Sequence, residues 1–537
     1  MPKEIIHGQD ARRLAMNGID KLAEAVKSTL GPKGRNVALG RRYAAPTITH
    51  DGVTVARHVE LEDVFEDMGA QVFKEVANQT NIVAGDGTTT SVVMAQAILQ
   101  QGLRNIAAGA NPMLIRLGVQ RAITDAIKLV EDQAVPVKSL EEIKSVATIS
   151  AAEQAIGDLV GEAIDKVGPN GAVSVEESTG LNLEIEYVDG IRIDSGFLSP
   201  YFITSEERMQ AELDDCFLLI SDAQISSVAD ILPVLEVVKA NGADSLLVMG
   251  DAIADEAMAT LVMNKMQGNI GCVAIESPEW GDARDEVLED IAALTGGVVI
   301  SDRVGRDLVS VTIDDLGRCR RVVVDRESAT LVGGHGSDEQ VAFRVNQVAS
   351  QIKETPLQHD RERLESRLGK LSGGVAILRV GGATETEVRE KAFRVEDAVA
   401  ATRAAVEEGI VPGGGVTLLV AAEGLDSDLL DGDESTGYRS VIAALEEPIK
   451  QIARNAGFNG DVVVGDVKRR QVEEGSKTIG FDVISEQYVD MLDDDVAIID
   501  PAKVVRSVLE NAGSIAGMVL TIGALVAEVP ENDHESH

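Results

Sequence analysis

Residues 85–90 read GDGTTT and stand immediately before an apolar segment that runs from Val92 to Leu103. A Gly-flanked acid in a tight turn can hold a hard cation such as Mg²⁺ through its carboxylate, while the backbone N–H groups that follow point at phosphate oxygens. Threonine is poor inside a helix but good in its first turn, where the hydroxyl can bond a phosphate or an orphan N–H. The stretch therefore predicts a phosphate site at a helix N-terminus.

The alternative for this stretch is an ordinary turn, because glycine supplies a positive φ and aspartate bonds its own backbone. The three threonines favour the phosphate site over that alternative. The chain has no Gly-rich loop that ends in Lys-Ser or Lys-Thr, so a nucleotide would be bound without a P-loop.

Length, composition and charge limit the class of protein. The 537 residues suffice for about three or four domains. Only 3% of them are aromatic, so the hydrophobic cores must be aliphatic. The 49 basic and 89 acidic residues give a net charge of −40. Nucleic acid is therefore not expected as a partner, because binding of its phosphate backbone requires clustered Lys and Arg. The alternative is that the acids cover the surface and serve solubility alone.

Cysteine usage and apolar segments predict where the protein resides. Cys216, Cys272 and Cys319 form no Cys-x-x-Cys pair, so neither a disulfide framework nor a zinc site is expected, and a reducing compartment fits best. The longest apolar segment, Ile515 to Val529, is too short and too rich in Gly and Ala to span a bilayer. The N-terminus has no secretory pattern. We expect a cytoplasmic protein without a membrane partner.

Periodicity predicts helical chain ends around a mixed centre. A helix is predicted over residues 9–30, and residues 53–135 are mostly helical. From residue 190 to about 372 strand-like runs, among them Gly297 to Ser301, alternate with helical ones, which is typical of an α/β layer. Beyond it the chain is helical again, and Asp500 with Pro501 is interpreted as the N-cap and first position of a last helix. The pattern indicates nested domains.

Two helices of the central segment carry more apolar surface than burial of one face requires. Over residues 228–238 apolar side chains cover an arc of about 220°, wider than one buried stripe. A second helix, near residues 256–267, is rich in methionine, whose flexible side chain suits irregular partners. The excess favours a surface that binds non-native chains, and the alternative is that both helices are sandwiched in a core.

These features belong to a wider set of spaced motifs. The set comprises residues 29–34 (TLGPKG), 51–52 (DG), 85–90, 148–150 (TIS), 196–202 (GFLSPYF), 395–397 (VED), 401–408 (ATRAAVEE), 413–415 (GGG) and 500–501 (DP). With them the chain resembles a group I chaperonin, the bacterial-type GroEL family of 60 kDa chaperonin subunits, over nearly its whole length.

The resemblance implies a multidomain α/β fold of the group I chaperonin architecture. It implies a helical equatorial ATP-binding domain (1–134 and 409–537), a small α/β intermediate hinge domain (135–189 and 375–408), and an α/β apical domain that binds polypeptide and co-chaperonin (190–374). Such subunits form homo-oligomeric rings of seven, usually stacked in pairs, that are closed by a co-chaperonin lid of the GroES type.

The implied activity is protein folding driven by ATP hydrolysis, an ATPase and isomerase function with Mg²⁺ and a monovalent cation such as K⁺ as cofactors. Unfolded polypeptides would be captured on the two apolar apical helices and released into the ring cavity. An alternative of another class is a ring-forming paralogue that acts as a protein-binding scaffold with weak or lost ATPase. A metabolic kinase is disfavoured, since no small-substrate pocket signature is present.

The resemblance also implies roles for individual residues. Those implied to contact ATP are Thr29, Leu30, Gly31, Pro32, Asp86, Gly87, Thr88, Thr89, Thr90, Ile149, Ser150, Gly414, Asp482 and Asp500. Asp86 is the implied Mg²⁺ ligand, and Thr29 and Thr89 are implied neighbours of the monovalent cation. Asp397 is the implied hydrolytic acid, and the alternative is that it is a solvated helix residue. Asp51 is implied to be a second catalytic acid, and the alternative is that it only forms the turn before Gly52.

Residues of the central segment receive implied roles as well. Those implied to bind polypeptide and co-chaperonin are Phe197, Tyr201, Phe202, Leu232, Leu235, Met258, Val262 and Met263. Gly190, Gly373 and Gly374 are implied hinges, although any glycine can instead mark a tight turn without mobility.

Some positions depart from the family pattern. His50 stands where the family usually has Lys, and Asp482 stands where it usually has Asn in the adenine pocket. Acids occur over residues 279–285, where relatives are more basic. The C-terminal tail lacks the Gly-Met repeats of many relatives.

Overall fold

The computed structural model describes residues 3–41, 44–137, 139–151, 153–168, 171–178, 180–205, 208–301, 303, 305–355, 358–493 and 496–528. The chain divides into two compact units. The terminal unit comprises Met1–Gly161 and Phe393–His537, and the inserted unit comprises Glu162–Ala392. The finer division into three domains stays a prediction. The tail discussed above lies outside the described residues.

The helices are, in chain order, α1 (Gly8–Lys27), α2 (Gly52–His58), α3 (Val64–Ala84), α4 (Thr88–Ala107), α5 (Pro112–Glu131), α6 (Leu140–Ala151), α7 (Gln154–Val167), α8 (Val228–Ala240), α9 (Asp255–Met266), α10 (Asp282–Thr295), α11 (Asp338–Glu354), α12 (Gln358–Gly373), α13 (Glu385–Glu408), α14 (Val416–Gly424), α15 (Gly432–Leu445), α16 (Glu447–Asn455), α17 (Gly460–Glu474) and α18 (Ala502–Leu520). None of those described combines the length and the hydropathy that a bilayer-spanning helix needs.

The strands are β1 (Lys3–His7), β2 (Val37–Arg41), β3 (Ala44–Thr49), β4 (Ala172–Glu177), β5 (Glu184–Val188), β6 (Gly190–Ile193), β7 (Ala211–Ile220), β8 (Gln224–Ile225), β9 (Ser245–Gly250), β10 (Ala252–Ile253), β11 (Gly271–Glu276), β12 (Gly317–Val324), β13 (Ala329–Gly334), β14 (Val375–Val380), β15 (Ile410–Pro412), β16 (Ile479–Asp482), β17 (Gln487–Asp490), β18 (Ile499–Pro501) and β19 (Ala524–Glu528).

The terminal unit is a bundle of helices around an aliphatic core. Helices α1, α3, α4, α5, α15 and α18 supply most of that core, and Phe73 is an aromatic side chain buried within it. At the ends of the chain β1 pairs with β19 in antiparallel register. The scarcity of large aromatic side chains is compensated by close helix approach, which small residues permit.

Glycines set the distance between the most closely packed helices. A Cβ on Gly18 of α1 would lie 1.8 Å from the carbonyl oxygen of Glu66 on α3. A Cβ on Gly118 of α5 would lie 2.0 Å from the carbonyl oxygen of Glu434 on α15. At both crossings one backbone therefore rests directly on the other helix, a separation that no other residue type allows.

The inserted unit is built on a mixed six-stranded sheet in the order β11-β9-β7-β12-β13-β6. Strands β11, β9 and β7 are parallel, whereas β12, β13 and β6 pair in antiparallel fashion. Helices α8, α9 and α10 follow the parallel strands, as expected of an α/β layer. A second, three-stranded sheet has the order β4-β14-β5.

Three details of the sequence-based prediction require correction. The first helix ends at Lys27 rather than at residue 30. The hydroxyls of Ser28 and Thr29, just after its end, donate to backbone carbonyls of its last turn. Gly297–Ser301 forms no strand, and only Ile300 makes an isolated bridge, to Ser221. Asp500 is not an N-cap.

Asp500 lies instead in β18, where it is paired with Val411 of β15. Helix α18 begins at Ala502 with Pro501 as its N-cap. The Asp-Pro pattern therefore predicts the start of the helix to within one residue. Because Asp500 pairs with Val411 of β15, it lies in a strand and does not cap the helix.

We predict that Gly118→Ala destabilises the protein, because the new methyl group would collide with the Glu434 carbonyl. Overpacking of this kind costs about 1–3 kcal/mol, visible as a lower midpoint of urea unfolding. The matched control is Gly465→Ala in the exposed part of α17, where a Cβ meets nothing within 4 Å. The free energy of unfolding of that variant should rise by about 0.5–1 kcal/mol, because alanine favours the helix over glycine. Equal midpoints for the two variants would contradict the role of Gly118.

Candidate functional site: a nucleotide site in the terminal unit

The turn that carries Asp86 is defined by two glycines. Gly85 ends α3 with φ of 68°, and Gly87 precedes α4 with φ of 80°, both in the left-handed region. A Cβ on Gly85 would lie 2.1 Å from the Cβ of Ala400 on α13, and one on Gly87 would lie 2.7 Å from Cγ1 of Val504. The turn therefore needs glycine both for its dihedral angles and for close packing. The predicted helix N-terminus after Asp86 is confirmed.

Asp86 itself is held in place by hydrogen bonds. Its carboxylate accepts the Gly87 N–H at 2.5 Å and the Ser150 hydroxyl at 3.5 Å. Burial raises the pKa of Asp86, those two hydrogen bonds oppose the rise, and the charge of Asp51 adds to it. The ionised carboxylate therefore lies in an environment that disfavours it until a positive charge arrives.

Asp51 caps a second helix beside this turn. Its carboxylate accepts the N–H groups of Val53 at 3.1 Å and Thr54 at 2.8 Å, so it is the N-cap of α2. A Cβ on the adjacent Gly52 would lie 2.2 Å from the Thr89 hydroxyl oxygen. The Asp51–Gly52 turn therefore lies directly on the first turn of α4.

The segment after α1 forms another side of the site. The Thr29 hydroxyl donates to the Val26 carbonyl at 2.9 Å and lies 3.4 Å from the Thr89 hydroxyl. The two threonines implied to neighbour a monovalent cation are thus adjacent. Leu30, Gly31 and Pro32 follow in the same loop, in which Gly31 has φ of 82°.

Asn455, which sequence reasoning missed, anchors this loop. Its side-chain amide donates to the carbonyls of Lys27 at 2.9 Å and Leu30 at 2.8 Å. Asn455 is the last residue of α16, far along the chain, and nothing in its local sequence marks it. A partly buried amide that bonds two loop carbonyls fixes the loop without being part of a motif.

Asp397 on α13 completes a group of carboxylates. The pKa of Asp397 is raised well above its ordinary value, first by burial and then by the charges of Asp51, Asp86 and Glu396. The residue implied to be the hydrolytic acid therefore lies within electrostatic range of both other acids. The three carboxylates come from α13, the N-cap of α2 and the turn before α4.

Asp500 is a fourth carboxylate of the group. Burial raises the pKa of Asp500 to about 7, and the charge of Asp86 contributes. Within the described residues, no three His, Cys, Asp or Glu side chains are close enough to hold a metal ion by themselves. The site thus offers separate carboxylates within electrostatic range of one another rather than a complete protein cage.

These donors fit a Mg²⁺ ion that is bound jointly with phosphate. Mg²⁺ typically takes one or two carboxylates and completes its shell with water and phosphate oxygens. The first turn of α4, with the hydroxyls of Thr88, Thr89 and Thr90, supplies the hydrogen-bond donors and the positive dipole end that a phosphate needs. Without an intervening cation the neighbouring carboxylates would repel that phosphate.

Three implied ATP contacts lie at other positions in the terminal unit. Ile149 is exposed on α6, one residue before the Ser150 that bonds Asp86. Gly414 has φ of 64°, and a Cβ there would lie 3.7 Å from Cε of Met491, just after β17. Asp482 ends β16 in the hairpin with β17.

The carboxylate of Asp482 is stabilised by its own turn. Burial alone would raise its pKa, but hydrogen bonds from Ser485 and from the Ile484 N–H, at 2.8 Å, outweigh burial and hold the pKa below its usual range. The anion that replaces the family's usual Asn is therefore compensated locally.

In the inserted unit the predicted polypeptide-binding residues divide into two groups. Tyr201 is 66% exposed, Met263 52% and Leu232 43%, and Phe197, Met258 and Val262 are partly buried. Phe202 and Leu235 lie in the core, at 0% and 4% exposure, and are excluded from the exposed surface in this structure. Leu235 shares the buried face of α8 with Ile231, Val234 and Val238.

Close packing explains why glycine stands at each of the three implied hinge positions. A Cβ on Gly190 would lie 2.4 Å from the Leu331 carbonyl oxygen, and one on Gly374, whose φ is 64°, would lie 2.8 Å from the Val188 carbonyl oxygen. A Cβ on Gly373 would lie 2.7 Å from the Val167 carbonyl oxygen. Their role as hinges stays a prediction.

Comparison with known proteins agrees with this fold. The family model of the TCP-1/cpn60 chaperonin family matches residues 22–530. Among solved structures, the chaperonin gp146 from bacteriophage EL 2 (Pseudomonas aeruginosa), crystallised in the presence of ATP-BeFx, is 21% identical and has a TM-score of 0.70. The match covers 98% of this chain and 99% of that one. At this identity the structural match shows the fold alone.

The fold and the family match together define a chaperonin. The chain belongs to the TCP-1/cpn60 chaperonin family. The predicted chaperonin fold is confirmed, and the motifs are consistent with group I.

We predict that Asp500→Asn stabilises the Mg²⁺-free, nucleotide-free protein, and more so at pH 8 than at pH 5. Because the folded pKa of about 7 exceeds the unfolded value of 3.8, ionisation opposes folding, and the cost grows as pH rises from 4 to 7. Thermal unfolding at several pH values measures the effect.

The control for this prediction is Asp165→Asn, an exposed residue on α7. Its melting temperature should follow that of the wild type at every pH. A gain for Asp500→Asn that is equal at pH 5 and pH 8 would argue against a raised pKa as its cause.

Proposed function

We propose that this protein is an ATP-dependent group I chaperonin that captures non-native polypeptides on apical apolar helices and folds them inside a ring cavity. The observation that carries the proposal is the convergence of Asp51, Asp86 and Asp397 at the N-terminus of α4. A protein that used the fold only as a scaffold would have no need of partly buried, mutually repelling carboxylates.

The chemistry follows from the position of these groups. Phosphoryl transfer leaves little covalent work for the protein and depends on positioning and electrostatics. The N–H groups and hydroxyls at the start of α4 bind the phosphates, and Asp397 orients a water molecule toward the terminal phosphate. Asp86 would hold Mg²⁺, which when bound supplies the positive charge that offsets phosphate and carboxylates. Thr29 and Thr89 are the proposed neighbours of a monovalent cation such as K⁺.

Capture of clients is assigned to the inserted unit. Leu232 on α8 and Met263 and Met266 on α9 are exposed apolar side chains on neighbouring helices, and exposed Tyr201 belongs to the same predicted set. Apolar side chains on two packed helices can bind the apolar segments that unfolded chains expose. The proposed assembly is a ring of seven subunits, stacked in pairs and closed by a lid of the GroES type.

We predict that Asp397→Ala lowers the steady-state ATPase rate by about 10²-fold or more, the range that a positioned acid or base contributes. Binding of an ATP analogue, measured separately by calorimetry, should persist. The matched control is Glu385→Ala on the same helix, which should retain wild-type turnover. If the wild-type protein hydrolyses ATP no faster than Asp397→Ala, the result would instead support the alternative function, a protein-binding scaffold with weak or lost ATPase.

We also predict that Leu232→Ser weakens capture of a chemically unfolded client about tenfold, because it removes exposed apolar surface from α8. Suppression of client aggregation and binding of a fluorescent unfolded client measure the effect. The control is Val472→Ser on α17 of the terminal unit, 83% exposed in the wild type. If both variants capture clients like the wild type, α8 is not the capturing surface.

A further inference from the structure

A loop of the inserted unit presents the single tryptophan of the chain to solvent. Ser277–Gly281 joins β11 to α10 at the edge where the parallel strands β7, β9 and β11 end. Trp280 is 81% exposed, in a chain with one Trp and only 3% aromatic residues. Tryptophan is enriched among residues that dominate protein interfaces, so the high exposure of Trp280 points to an interaction surface.

The base of this loop is anchored while its tip points outward. The Ser277 N–H donates to the Gly250 carbonyl at 2.8 Å, and the Ser277 hydroxyl donates to the Ser221 carbonyl at 3.0 Å. Pro278 is buried. Glu279 and Gly281, on either side of Trp280, have φ of 64° and 61°. The indole is therefore held on a defined turn.

The surroundings of Trp280 are acidic. Glu276 and Glu279 are exposed, and neither makes an ion pair in the part of the chain that the structure describes. Arg284 and Arg303 lie at the same edge, but both are paired with Asp285, at 3.4 Å and 2.6 Å, and each has a second carboxylate, Asp251 for Arg284 and Asp222 for Arg303. The positive charges here are therefore neutralised, whereas two carboxylates close to the indole in sequence are not.

We propose that Trp280, Glu276 and Glu279 form a docking site for an extended arginine- or lysine-rich segment of a partner protein. A guanidinium group can stack on the indole face while it donates to a carboxylate, and both interactions favour cations. A basic segment is the complementary occupant, because the exposed carboxylates beside the indole lack a cation among the described residues while the nearby arginines are already paired. The site lies outside α8 and α9 and so goes beyond the proposed capture of clients.

The single tryptophan makes the site directly observable. The full-length assembled protein is titrated with a 12-residue peptide of alternating Arg and Gly or Ser, which contains no apolar residue that could bind α8 or α9. We expect a saturable shift of the Trp280 emission that weakens as salt rises. A matched peptide with Glu in place of Arg should cause none. No saturable response at millimolar Arg peptide, or an equal response to the Glu peptide, would overturn the proposal.

Variants separate the site from general attraction to an acidic protein. With dye-labelled Arg peptide, Trp280→Ala should weaken binding at least tenfold and Glu279→Gln about threefold. The matched control is Phe343→Ala on α11, another aromatic residue of the inserted unit, 72% exposed, which should bind like the wild type. Unchanged binding by Trp280→Ala, or equal weakening by Phe343→Ala, would contradict the site. ATPase and client capture should be unaffected in Trp280→Ala, so this test and those of the proposed function fail independently.

Discussion

Crowding of several partly buried carboxylates against the start of one helix is the constraint on which the terminal unit depends. Asp86 and Asp51 are each fixed by hydrogen bonds to backbone N–H groups. Gly85 and Gly52 bring the elements that carry them into direct contact with α13 and α4. The acids therefore cannot relax by moving apart. Their mutual repulsion is relieved when a cation and the phosphate that it accompanies enter, so ligand binding and the geometry of the unit are coupled.

Much of this site could be predicted from local sequence. The GDGTTT stretch contains its own turn residues and the first helical turn, and the Asp51–Gly52 pair contains its own cap, so both predict local structure without tertiary information. The convergence of Asp397 depends on tertiary packing and was implied only by the family resemblance. Asn455 was missed because a side-chain amide that anchors a distant loop leaves no periodic or motif signal. Asp500 was misplaced because strand pairing with Val411 outweighed its capping tendency.

In the inserted unit, periodicity predicted the helices better than it predicted their exposed faces. Residues 228–238 form a helix as expected, but an arc of apolar residues does not reveal which side meets the sheet. Leu235 lies on the side that does, and Leu232, three positions earlier, lies on the side that does not. The segment Gly297–Ser301 has the composition of a strand, yet only Ile300 finds a partner. Strands need neighbours, and their existence is therefore less local than that of helices.

The chain order of the terminal unit determines how it can fold during synthesis on the ribosome. Helix α18 packs against α3, α4 and α5, and β1 finds its partner only in β19, near the other end of the chain. The first helices therefore emerge hundreds of residues before the segments that cover them, whereas all strands of the six-stranded sheet emerge within one continuous stretch. The inserted unit can complete its fold during synthesis, while the N-terminal helices wait with uncovered apolar faces. A chaperonin subunit built in this order is itself a nascent chain that needs protection from aggregation.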